Sequence, residues 1–229
     1  MRGLDARGGR RRAFGDNRRL RGLVGLISLV QQHLARWLDG GRVRLADGTQ
    51  LALASYPGCE QRSHFAGFAR YGYSKSHHRF LWGVRLVLLT DERGLPLGYT
   101  LVPANEKEYE PLADLLTGTA AEVVIADKGL WGRSDRERLA ASAVSLLTPD
   151  RTRTAANLGR ERARASLRLV IESVFANLKD QTRLERHLAK TPARLADRIA
   201  QPILTLTLGI LLNTLAGRPA RALSSYDGR

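Results

Sequence analysis

Cysteine and long apolar runs are scarce in this sequence. Cys59 is the single cysteine among 229 residues, which excludes an intramolecular disulfide and a cysteine-built zinc site and is typical of a reducing compartment. The longest apolar run, at 203–215, is shorter than the roughly 20 residues that span a bilayer. The arginine-rich N-terminus lacks the apolar segment of a signal peptide. We therefore expect a buried C-terminal helix, no membrane association and a cytoplasmic protein.

Acidic residues are also few. Asp and Glu total 22 against 37 for Lys and Arg, a net charge of +15 that comes mostly from arginine. The planar guanidinium matches phosphate oxygens, so the excess of basic residues favours a polyanionic partner. Nucleic acid is the first candidate. A GC-rich coding sequence also enriches arginine, so charge alone leaves the partner open.

The N-terminal part combines a basic tail with one amphipathic helix. Residues 1–13 are rich in glycine and arginine without periodicity, which is typical of a disordered tail. From Asn17 apolar residues recur at three-and-four spacing until Gly40 and Gly41, which predicts a helix. The arginines of its first turn are expected to face solvent or phosphate; they are Arg18, Arg19 and Arg21.

Short apolar runs bounded by turn residues then predict strands. They lie at 49–57, 81–91, 95–103, 121–129 and 144–149, with helices at 109–118, 133–143 and from about 160 onward. Thr191 and Pro192 predict a break and a new helix start. A hairpin followed by alternating helix and strand predicts an α/β fold with a mixed five-stranded sheet flanked by helices.

Asp127 closes the apolar run VVIAD and precedes Lys128 and Gly129. Ligands collect at the carboxyl ends of strands in mixed sheets, so this acid is placed to hold a metal ion or substrate. The alternative is an aspartate that caps the next turn, the more common role for a lone acid at a strand end.

Glu172 lies in the helical run RLVIESVFANLKD. Helical spacing places it on one face with Arg168 and Lys179, beside the apolar stripe. Its alternative role is a surface ion pair with Arg168. Asp127 and Glu172 together suit Mg²⁺, which takes carboxylate oxygens, and two such ions cleave phosphodiesters. Lys128, Arg168 and Lys179 would offset phosphate charge.

These residues resemble the DDE-type insertion-sequence transposases, whose core is RNase H-like, and most closely the family numbered 982. Arg168, Glu172 and Lys179 match the spacing Arg, three residues, Glu, six residues, Lys, although Ala165 replaces the usual tyrosine. Further similar stretches lie at 71–105, 124–132 and 172–191.

The resemblance implies that Asp127 and Glu172 are the second and third catalytic acids and metal ligands. The first is expected in LALASYP, where Ala54 stands in place of aspartate, so this copy is expected to be catalytically impaired. Asp47, roughly 23 Å earlier along an extended strand, is expected at the wrong end, and Asp91 in the hairpin loop.

The expected function is an insertion-sequence transposase that uses two Mg²⁺ ions to cut and transfer double-stranded DNA at terminal repeats and target sites. Paired DNA ends favour a homodimer in a bacterial, nucleoid-associated setting. The expected division is 1–45 as a DNA-binding remnant, 46–190 as the catalytic core and 191–229 as a helical segment. The alternatives are a non-catalytic DNA-binding protein or decayed fragment, and an RNase H-like nuclease without strand transfer.

Histidine and tryptophan residues are weaker candidates for the functional site. His77 and His78 are adjacent in an extended segment and point to opposite faces, so surface or DNA-backbone contacts are favoured over one shared metal. Trp82 is expected in the core. Trp131 is expected either near DNA or in packing.

Overall fold

The structure is a computed structural model, and it describes residues 18–74, 78–107, 109–117, 119–126, 137, 139–141, 143–148 and 158–226. Side chains at 18–23 lie outside this description. The strands are β1 (Val43–Ala54), β2 (Arg70–Ser74), β3 (Arg79–Asp91), β4 (Pro96–Pro103), β5 (Val123–Ala126) and β6 (Ser145–Leu147). The helices are α1 (Arg18–Leu38), α2 (Cys59–Arg62), α3 (Tyr109–Leu116), α4 (Leu158–Ala176) and α5 (Pro192–Leu215).

The six strands form one mixed sheet. Its order is β2, β3, β1, β5, β6, and β4 also pairs with β3. β2 pairs with the first residues of β3 and β4 with the later ones, so the two share one position beside β3. β1 is antiparallel to β3 and parallel to β5, which is parallel to β6. The predicted mixed sheet flanked by helices is confirmed, with six strands in five positions.

β1 begins six residues earlier than predicted and ends at Ala54 rather than at residue 57. The dipeptide Asp47-Gly48 is a typical turn signal, yet here it lies inside the strand. Arg44 is fully buried in the strand because its Nη2 lies 2.8 Å from Asp39 Oδ2 and its Nη1 donates to Gly41 O. β1 therefore also crosses the predicted domain boundary at 45/46; the three-part division stays a prediction.

Alternate residues of the sheet face two apolar clusters. One cluster joins Leu45, Ile125 and residues 82, 84, 86 and 88 of β3 to α4 and α5. Ala46 and Ala126 pack on the other face with α3. Strand side chains alternate with a period of two, so this parity identifies the face of each residue. The side chain of Asp47 therefore belongs to the face that α4 covers.

The C-terminal helix confirms the expected buried role of its apolar run. α5 starts after Thr191, whose hydroxyl accepts the Arg194 N–H as a cap. It is the one described helix long and apolar enough to cross a membrane, but 56% of its most apolar window is buried, with Leu195, Ile199 and Ile203 in the core. α5 also packs against α1.

Candidate active site

Asp47 lies at the carboxyl end of β5. The parallel pairing of β1 with β5 runs from Val43 opposite Val123 to Ala46 opposite Ala126, and Asp47 is the next residue of β1. Asp127 follows Ala126 in the chain, but Asp127 and Lys128 lie outside the described residues. The register thus brings Asp47 to the strand end at which the sequence continues into the predicted metal-binding acid.

The structure does not bring Ala54 to that strand end. Ala54 lies eight residues beyond the last pair with β5, roughly 26 Å along an extended strand, and it pairs with Trp82 of β3 instead. The sequence-based expectation placed the first acid at the end of β1, whereas β5 pairs with residues 43–46 at its start. Ala54 is therefore at the wrong end, and Asp47 at the right one, the reverse of the sequence-based expectation.

A small cleft opens beside Asp47. Its volume is about 20 Å³, enough for one water molecule or ion. Asp47 is partly buried, and its Oδ1 accepts the Gly48 N–H at 2.8 Å. The lining residues come from β1, β5 and α4; they are Leu45, Ala46, Asp47, Ile125, Ala126, Arg164, Arg168 and Ile171.

Glu172 follows the cleft-lining Ile171 on α4. Arg168 Nε donates to its Oε1 at 3.0 Å, and both side chains are half exposed. The predicted intrahelical pair is therefore present. An exposed pair of this kind contributes at most about 1 kcal/mol and is readily opened, so it leaves the carboxylate available to a cation.

Arg164 is a cleft residue that the sequence did not single out. It forms an ion pair with Glu161 on the same helix, and its side chain is 11% exposed. Its Nη1 is buried without a hydrogen-bond partner in the described structure. Burying such a donor without a hydrogen-bond partner costs free energy. Binding of a ligand at Nη1, or a shift of the side chain toward a partner, would remove that cost.

The remaining predicted basic residues are less informative. Lys179 lies in the π-helical turn after α4, where its Nζ lies 2.9 Å from Glu185 Oε1. Arg18, Arg19 and Arg21 lie in the first turn of α1, but their side chains are outside the described part of the chain. Their proposed DNA contacts therefore stay predictions.

The other residues that the sequence analysis named lie in the core, on the surface or outside the described residues. Trp82 is 2% exposed, which confirms its core role, and His78 is exposed. Asp91 is buried at the end of β3, where its Oδ1 accepts the N–H groups of Arg93 and Leu95. His77 and Trp131 lie outside the described residues.

The family model for the transposase DDE domain matches residues 38–208, a span that contains Asp47, the cleft and Glu172. The chain belongs to the DDE transposase family. Membership of the narrower insertion-sequence family 982 stays a prediction. No curated protein matches this chain significantly.

Two solved structures are similar to this chain. The catalytic core domain of BIV integrase is 10% identical, with 78% of this chain and 98% of that chain covered and a TM-score of 0.45. The Mos1 mariner paired end complex with Mn is 11% identical, with 88% of this chain and 64% of that chain covered and a TM-score of 0.28.

DDE transposases generally use divalent metal ions, and the donor chemistry of the cleft fits such ions. Carboxylate oxygens are the preferred ligands of hard divalent cations; Asp47 supplies them in the cleft, and Glu172 follows the cleft-lining Ile171 on α4. No group of three or more His, Cys, Asp or Glu suited to a metal occurs within the described ranges, from which Asp127 is excluded. The cleft thus presents part of an acidic set together with two arginines.

Proposed function

We propose that this transposase cuts and transfers the DNA strands of a bacterial insertion sequence, with Asp47, Asp127 and Glu172 as its carboxylate set. The observation that carries the proposal is the pairing of Ala46 with Ala126, because each is followed directly by an aspartate. Glu172 would complete the set from α4.

The chain's own residues would perform three tasks in this cleft. The three carboxylates would hold two Mg²⁺ ions, and such ions would supply activation of the attacking oxygen and stabilisation of the leaving one. Arg164 would present its unpaired N–H to a phosphate oxygen, and Arg168, which donates to Glu172, would supply a second guanidinium. The buried floor of Leu45 and Ile125 excludes water from one side.

The proposal replaces the expected catalytic defect with a competent site. That defect was inferred from alanine at position 54, and Ala54 lies away from β5. We further propose that two chains act together on paired ends of double-stranded DNA, at the nucleoid in the cytoplasm. These ends and the target site are the substrates that the strong positive charge would attract.

The test is Mg²⁺-dependent nicking of DNA that carries the terminal repeats flanking the gene. We expect Asp47→Asn to reduce the rate about a thousandfold, which corresponds to about 4 kcal/mol of transition-state stabilisation. Ala54→Asp should leave the rate unchanged. Binding of the same DNA in EDTA controls for folding, because asparagine preserves the shape of the aspartate.

Two outcomes would reject the proposal. Strong activation by Ala54→Asp would restore Ala54 as the missing acid and the idea of a defective copy. DNA binding by the wild-type chain without nicking, indifferent to both variants, would instead support a non-catalytic DNA-binding protein. An assay that supplies target DNA separates strand transfer from simple nuclease activity.

A further inference from the structure

Large apolar side chains are exposed along both α1 and α5. They make up more than half of the large apolar side chains that the described part of the chain exposes. On each helix they recur with helical spacing and so form a stripe along one face. These residues are the helical patch: Leu26, Leu29, Val30, Trp37, Leu208, Leu212 and Leu215.

The two stripes lie side by side. Gln31 of α1 faces β4, because its Nε2 donates to Pro96 O at 2.7 Å, whereas Ile203 and Leu206 of α5 face the core. At about 100° per residue, the exposed residues of each helix point away from these contacts. α1 and α5 pack against each other, and packed helix axes are about 8–10 Å apart. The stripes therefore form one continuous outer surface.

The helical patch is larger than the apolar surface that a monomer usually exposes. The exposed fractions run from 39% at Val30 and Leu208 to 71% at Leu215, and together they equal nearly four whole side chains. At roughly 180 Å² for each, the patch exposes about 700 Å², whereas the largest apolar patch of a typical monomer is about 300–600 Å². Each partner in a standard stable interface buries about 800 Å². The patch with a narrow rim around it supplies that area.

The segments that carry the patch lack charge in a strongly basic chain. Residues 22–35 and 199–217 contain no Asp, Glu, Lys or Arg, although 26% of the whole sequence is charged. Two chains that each carry a net charge of +15 repel each other wherever their basic surfaces meet. In a two-fold symmetric contact the same surface is present on both partners, so every charge in it faces charges of its own kind. A charge-free surface therefore suits a second copy of the same chain.

We propose that the helical patch is the contact between two copies of this chain, in which α1 and α5 of one copy pack on the same helices of the other. The inference deepens the proposed joint action of two chains on paired DNA ends and rests on that function for its role.

Two other occupants fit the patch less well. Residues 1–17 of this chain carry five arginines, and their charges would find no carboxylate among the seven apolar side chains of the patch. A lipid bilayer would have to take up α5, but 56% of the most apolar window of this helix is already buried inside the fold. A second copy needs neither charge pairing nor release of α5.

The test measures the molar mass of the protein by sedimentation equilibrium, without DNA and in EDTA. We expect a dimer for the wild type. The double variant Leu29→Lys, Leu212→Lys should raise the dimer dissociation constant about a hundredfold or more, because the contact would then bury like charges. Both positions are exposed and lysine favours helix, so the variant should keep the circular dichroism spectrum and melting temperature of the wild type.

Opposite charges test whether the same surface is present on both partners. Leu29→Glu with Leu212→Glu should also be monomeric on its own. An equal mixture of the lysine and glutamate variants should form a heterodimer, since charges of opposite sign then meet in the contact. Recovery of association in the mixture would support a contact between two copies, because no other kind of partner is present.

The matched control is Leu169→Lys, which places the same charge at a side chain that is 64% exposed, as Leu29 is 65% exposed, but lies on α4. It should leave the dimer unchanged. Equal weakening of the dimer by this control, or a wild type that stays monomeric at about 100 μM, would overturn the proposal. Binding of anionic lipid vesicles by a monomeric wild type, lost in the glutamate variant, would identify the patch as a membrane contact instead.

The outcome is separable from that of the proposed function. Association without DNA or metal does not use the carboxylates of the cleft, so Asp47→Asn should dimerise as the wild type does. If Asp47→Asn still nicks DNA, the catalytic assignment fails while the dimer result stands. If the wild type is monomeric and its nicking depends on Asp47, the contact between copies fails while the catalytic assignment stands.

Discussion

At the scale of single residues, His187 joins the segment between α4 and α5 to β1. Its ring is 8% exposed, with Nε2 3.1 Å from Ala52 O and Nδ1 3.1 Å from the Ala189 nitrogen. Nδ1 accepts the Ala189 N–H, so the neutral tautomer with its proton on Nε2 satisfies both contacts. Burial lowers the pKa of His187, and the hydrogen bond to Ala52 raises it in part.

This shift predicts a loss of stability in acid. The folded pKa lies below the unfolded value of about 6.5, so the unfolded chain binds more protons and stability falls as pH drops through that value. A difference of one bound proton changes the free energy of unfolding by at most about 1.4 kcal/mol per pH unit. Urea unfolding at pH 7 and pH 5 should show a smaller pH dependence in His187→Gln than in the wild type. The same dependence in both proteins would contradict this role.

Among the secondary-structure elements, the pairing of β1 with β3 depends on a close approach at Gly83. The register shifts between Ala52 and Ala54, which leaves Leu53 as the extra residue of a bulge. A Cβ at Gly83 would lie 2.0 Å from the Leu51 carbonyl oxygen. The obstacle is backbone, so the strands themselves would have to separate.

We therefore expect Gly83→Ala to reduce the free energy of unfolding by about 3 kcal/mol or more. Gly25→Ala is the matched control, because nothing lies within 4 Å of its added Cβ and the position is inside α1. That control should be neutral or stabilising by up to about 1 kcal/mol. Urea denaturation of both variants measures the difference, and equal stabilities would refute the steric argument.

The elements themselves were largely predictable, whereas their register was not. Apolar spacing located α1, α3 and α5, because helical periodicity is local. The start of β1 was not predicted because Asp47-Gly48 is typical of a turn and because a charged residue, Arg44, is buried in the strand through its ion pair with Asp39. Ala54 was chosen from a local motif, whereas the first acid of the site depends on which residues of β1 pair with β5.

At the scale of the whole molecule, the excess of basic residues predicts salt-sensitive DNA binding. A net charge of +15 favours release of counterions from DNA, and log affinity then falls linearly with log salt by about 0.9 for each phosphate contacted. A chain that contacts about six phosphates would give a slope of about −5. Titration of duplex DNA between about 50 and 200 mM salt measures this slope. An affinity independent of salt would exclude charge as the main source of binding.

The short pairing of β5 with β1 has a consequence for the chain's solubility. Beyond Ala46, β1 keeps β3 on one side, and no other strand pairs with its opposite edge within the described residues. An unpaired strand edge is a template to which another chain can add a strand and begin aggregation. His187 covers the Ala52 carbonyl on that edge. A truncation or substitution that releases the 182–191 segment would therefore expose this edge of β1 and promote aggregation even where the core stays folded.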